Sequence, residues 1–204
     1  MFYRTAQGSP LPRDPLTAIV SPRPIAWITT RGGDGRINLS PYSFFNAVAY
    51  TPPQVIVASI GNKADREIGK DTFAQASETG VLCINIAGYE DRDALNASSA
   101  PFPAAVDEAA HLGLELAECE TIDCPRLAHA PAALECRLTR TLDLEGEANR
   151  LMIARIEAIH LRDDCLDGDG RFDVTRFRPL TRLGYSDFGA ITEVFRMPRP
   201  KLPD

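Results

Sequence analysis

The chain has 204 residues, 44% hydrophobic and 25% charged, the make-up of one ordinary globular domain with a sizeable core. Its net charge of −6 argues against nucleic acid or an anionic membrane surface as a partner, because affinity for phosphate backbones needs a basic excess. No run of about 18 apolar residues offers a membrane span and residues 1–4 do not open a signal peptide, while five cysteines with no CxxC spacing suit reduced thiols in the cytoplasm.

In chain order, residues 23–31 are rich in Ile, Trp and Thr and read as a strand. Gly32-Gly33-Asp34-Gly35 makes a hairpin turn, and residues 36–49 return as one strand. Thr51-Pro52-Pro53 stops it, since proline cannot donate to a ladder. Residues 54–60 form a short buried strand. A helix follows over 72–79, with Lys70 or Asp71 at its start and Gly80 just past its end. Residues 81–87 are another buried strand. Residues 89–116 read as one or two helices broken at Pro101–Pro103. Residues 133–144 and 150–162 pair across a turn at Gly146, 167–170 turn again, and the tail from 178 mixes loop residues with proline-rich coil.

Six or more strands joined by hairpins, with few helices between them, imply a mainly β fold: an antiparallel sheet closed on itself. One strand–helix–strand unit over 54–86 is too little for a doubly wound sheet, and no G-x-G-x-x-G follows a strand.

Two polar segments could carry chemistry. In the first, RINLSPYSFFN, extended backbone puts Asn38, Ser40 and Tyr42 on one face and Ser43 on the other. Pro41 removes a ladder donor, so the strand ends or bulges there and frees N–H groups for a ligand; a plain polar edge strand is the competing reading. In the second, Gly69-Lys70-Asp71-Thr72 opens a helix. The free N–H groups, the helix dipole, the Lys70 charge and the Thr72 hydroxyl suit a phosphate, though a simple cap would look alike. Ser59 and Ile60 end the strand just before it. Trp27, the single tryptophan, can serve as core or as a stacking wall. His111, His129 and His160 are scattered, no HExxH, GxSxG or Walker loop occurs, and Cys119 and Cys124 lack a second pair, so neither a hydrolase nor a metal site is supported.

The runs SPRPIAWITTRGGDGRINLSPYSFFNAVAYTPPQVIVASI and KDTFAQASETGVLCINI, with DGDGRFDVTRFRPLTRLG near the end, resemble the flavin reductase-like, FMN-binding split-barrel family, in its flavoredoxin-like branch. The resemblance covers nearly the whole chain. It implies a six-stranded antiparallel Greek-key split β-barrel with added helices, and a homodimer with FMN at the subunit interface. Carried over by position, the flavin contacts fall on Trp27, Asn38, Ser40, Tyr42, Ser43, Ser59, Ile60, Lys70, Asp71 and Thr72. Lys70 and Thr72 are expected near the phosphate, and Tyr185 and Phe188 over the flavin, from this subunit or its partner. The implied chemistry is hydride transfer from NAD(P)H to the flavin, needing no catalytic acid or base from the protein, with an oxygenase or other acceptor downstream. Short-chain flavin reductases carry Gly-Asp-His before the strand that matches 152–160. Here residues 144–150 hold no histidine and Asn149 stands in that place, so a flavoredoxin-like carrier that takes no electrons from NAD(P)H is the alternative.

Overall fold

A computed structural model describes residues 1–61 and 70–200. The strands, in chain order, are β1 (Arg23–Pro24), β2 (Ala26–Arg31), β3 (Ile37–Tyr42), β4 (Phe44–Tyr50), β5 (Pro53–Ser59), β6 (Val81–Ile86), β7 (Leu116–Glu118), β8 (Pro125–Leu127), β9 (Ala132–Asp143), β10 (Arg150–Leu161), β11 (Leu180–Gly184) and β12 (Asp187–Ala190). The α-helices are α1 (Leu16–Ile19), α2 (Asp71–Thr79), α3 (Arg92–Ala97), α4 (Glu108–His111) and α5 (Val174–Phe177).

Seven strands form one antiparallel sheet in the order β3-β2-β6-β9-β10-β5-β4. Its two edge strands, β3 and β4, are consecutive in the chain and separated by Ser43 alone. The two edges are therefore joined at one end, and the sheet curls into a half-barrel. The expected strand over 36–49 is in fact this pair. Pro41 cannot donate, and the chain passes from one edge ladder to the other at Ser43, so the sheet has seven strands where six were expected. The strand–helix–strand run over 54–86 is no βαβ unit, because β5 pairs with β4 and β10 while β6 pairs with β2 and β9, all antiparallel.

Alternation along β2 splits the core in two. Ala26 and Ile28 point into the barrel with Val55, Val57, Leu82, Ile84 and Met152. Ile25 and Trp27 point outward and are covered by Leu95 of α3, Ala109 of α4 and Leu180. Helix α2 plugs the barrel with Phe73 and Ala76. Gly80 ends it in the left-handed region at φ 76°, which glycine adopts without a Cβ penalty. Beneath β7 and β8, Cys83 and Cys124 pack with Cys119 in a small third cluster, and burial pushes the Cys124 thiol up to about 12.

The tail differs from the sequence reading. Residues 180–190 form the hairpin β11–β12, with β1 on the free side of β11. Its turn is built by Gly184 and by Tyr185, which sits at φ 50°. A Cβ on Gly184 would stand 2.7 Å from the Cα of Ala18, so only glycine lets α1 pack on this hairpin.

Candidate functional site

The Ser43 seam lies beside the start of α2, and the two polar segments of the sequence meet there. Asn38 Nδ2 donates to Thr72 Oγ1 at 2.8 Å, tying β3 to the first turn of α2. The rings of Tyr42 and Phe73 lie 5.8 Å apart, and Lys70 Nζ stands 5.3 Å from the Tyr42 ring centre. Burial pushes the Tyr42 phenol up to about 12, with the neighbouring Thr72 and Ser40 hydroxyls pulling the other way, so it stays neutral.

A cleft of about 260 Å³ opens over this seam. Of the twelve residues expected at a ligand, Tyr42, Ser43, Ser59, Ile60, Lys70 and Tyr185 line it. Asn38 and Thr72 are buried and do not line the cleft, and Ser40 is partly buried; the Thr72 hydroxyl oxygen accepts from Asn38. Asp71 is half-buried at the first position of α2, where a carboxylate complements the dipole. Gly69 lies outside the described residues. Phe188 lines an adjoining recess instead of the cleft. Trp27 is not brought to the site at all. It is 1% exposed, in the outer core, with Nε1 donating to Ser98 Oγ at 2.9 Å, and the aromatic walls of the cleft are Tyr42, Phe44 and Tyr185.

Sequence reasoning missed the two arginines that dominate the cleft. Arg23, in β1, is 7% exposed, and its Nη1 donates to the carbonyls of Thr17 and Val20. Arg182, in β11, donates Nη2 to the Tyr185 carbonyl at 2.6 Å. Burial first, then the charge of Arg182, pulls the Arg23 pKa below its usual value. Among the described residues neither guanidinium has a carboxylate within ion-pair distance. Arg23 Nε and Ser59 Oγ are both buried without a hydrogen-bond partner. Buried donors and uncompensated cations are costly left alone, so the cleft carries an unmet polar demand among the described residues. The only local signal for Arg23 was its place before Pro24, which reads equally well as a strand start; Arg182 joins it by tertiary pairing of β1 with β11.

A curled antiparallel half-barrel with a cationic, aromatic-walled cleft at its seam defines a protein of the split-barrel class. The family model described as "Flavin reductase like domain" matches residues 20–181, and the chain belongs to that family. An uncharacterized protein of Halalkalibacterium halodurans is 31% identical, covering 92% of this chain and 90% of its own. The 2-nitrobenzoate 2-nitroreductase of Pseudomonas fluorescens is similar in structure, with TM-score 0.80 and 29% identity over 93% of this chain and 91% of that one. Nitrilotriacetate monooxygenase component B from Bacillus cereus gives 0.82 and 28%, over 93% and 100%.

Proposed function

We propose that the chain is an FMN-binding oxidoreductase of the cytoplasm that accepts hydride from NAD(P)H and passes electrons to an oxygenase or another acceptor, working as a homodimer. The observation that carries this reading is the orphaned polar lining of the seam cleft, Ser59 Oγ and Arg23 Nε beside Lys70. These residues fit a flavin mononucleotide, which is flat, amphipathic and anionic at one end. Bound there, FMN supplies a ring that takes up a hydride at N5.

The protein's own part is binding and orientation. Lys70 and the first N–H groups of α2 hold the phosphate. The Ser59 hydroxyl and the backbone at Ile60 would hold the ribityl chain, and the backbone from Pro41 to Ser43 would line the ring. Tyr185 and Thr17 of α1 also line the cleft, where they would cover the ring and shield it from water. No side chain in the cleft is required as acid or base. The names of two similar structures, a nitroreductase and a monooxygenase component, suit an electron-transferring role.

The purified protein should show the two visible bands of oxidised flavin, and stopped-flow mixing with NADH or NADPH should bleach them. Bound FMN that neither nucleotide bleaches overturns the reductase reading. Lys70→Ala should weaken FMN by about 1.5–3 kcal/mol and riboflavin far less in a fluorescence titration; equal weakening moves the phosphate elsewhere.

One feature favours the carrier alternative. Asn149 donates Nδ2 to the Glu145 carbonyl at 2.8 Å, so the residue in the place of the family's nicotinamide-side histidine is spent on closing the β9–β10 turn. Reduction by a ferredoxin-type donor, without bleaching by NAD(P)H, is the outcome that selects that reading.

A further inference from the structure

Next to the seam cleft lies a second recess of about 210 Å³, roofed by α3 and the β11–β12 hairpin. It shares Pro41, Ser43 and Arg182 with the cleft. Its apolar walls are Ile25, Leu95 and Phe188, and its polar ones Asn96 and Ser99. Arg182 is the one charged residue on its lining.

The guanidinium of Arg182 is fixed on two sides. Its carbon stands 4.3 Å from the Phe188 ring centre, and Nη2 is held by the Tyr185 carbonyl. The remaining N–H groups have no protein partner among the described residues. A planar guanidinium with free donors, on the lining of a recess of about 210 Å³ walled by Ile25, Leu95 and Phe188, matches a carboxylate attached to a flat apolar body. Arg23, whose pKa is pulled down first by burial and then by the charge of Arg182, adds positive potential and no competing anion.

We infer that this recess is a binding site for a small planar organic acid, with its carboxylate on Arg182 and its ring between Leu95, Phe188 and Pro41. As a reaction partner for a flavin in the adjoining cleft, the acid rests on the proposed function; as a ligand of the recess, it does not.

Benzoate is the probe, with benzamide as its uncharged counterpart, in isothermal titration calorimetry of the protein with and without FMN. Benzoate is expected to bind at least tenfold more tightly than benzamide in both forms. Arg182→Gln should weaken benzoate tenfold or more and leave benzamide unchanged. Ser99→Trp, at an exposed position on the recess rim, should block both probes, with native circular dichroism showing that each variant folds. No benzoate binding, equal binding of the two probes, or benzoate binding that survives both variants overturns the assignment. Benzoate binding in a protein that takes up no FMN leaves the recess in place and sinks the flavin reading alone.

Discussion

Single residues in this protein carry costs that a ligand or a partner group must offset. Ser59 Oγ is buried with nothing to bond, which costs about 1–3 kcal/mol in the ligand-free state. Ser59→Ala should therefore raise the melting temperature of the flavin-free protein while weakening its hold on FMN, a pair of opposite signs that calorimetry and titration read separately. Glu135 shows the reverse case of a buried group fully served. It is 0% exposed. Burial alone would raise its pKa, but the Thr121 hydroxyl, His160 and the backbone N–H groups of Glu120 and Thr121 hold it down to about 2. Its folded pKa lies below the ordinary 4.5, so its stabilisation is complete above about pH 4.5 and is lost as pH falls towards 2. Glu135→Gln should lower stability at neutral pH by about 1.5–3 kcal/mol and flatten the acid arm of urea-melt stability against pH. The resemblance had put Ser59 among the flavin contacts, but neither its unmet hydroxyl nor the Glu135 network was legible beforehand. A serine ending a buried strand and a glutamate inside one look alike in sequence, and what separates them is which loops fold over them.

Elements divide along the same line. The β9–β10 hairpin, the α2 helix and its Gly80 terminus were legible because periodicity and turn chemistry are local. The β11–β12 hairpin was not: its strands are short, its turn places a non-glycine at positive φ, and it is held by β1 and α1, both far off in sequence. Gly184→Ala tests that support. The new methyl would collide with Ala18, costing about 1–3 kcal/mol as overpacking. It should also lift α1 and Thr17 off the cleft, and so speed FMN release in a dilution experiment. An unchanged melting temperature and release rate would show that α1 is not seated on the hairpin in solution. Of the expected site residues, those on β3, β5 and α2 came together because strand alternation and a helix start fix direction. Trp27 fell elsewhere because its strand is buried on both faces, and sequence alone does not say which face meets the cleft.

At the scale of the whole molecule, a curled antiparallel sheet followed from the count of hairpin-linked strands, and the resemblance of the SPRP, SPYS and KDT segments to one family supplied the split-barrel class. Association is the part that a single chain leaves to experiment. Val48 is 51% and Tyr50 95% exposed on β4, and Leu142 and Leu144, at 43% and 44%, project near the end of β9. Such apolar exposure on one half of a sheet is what a second copy would cover. Light scattering should give twice the 22.3 kDa chain mass, and Tyr50→Glu should shift the population towards monomer. A wild-type mass equal to one chain would remove the homodimer from the proposal.

The one-residue link at Ser43 leaves the chain no slack. Adding or deleting a single residue there would swap inward and outward positions along one of the two strands it joins, exposing core and burying polar groups in the same stroke. Length variation among relatives should therefore be absent at this point and collect at the tips around 145–149 and 167–170. The Ser43 seam is the part of the fold that descent can revise only by exchanging one side chain for another.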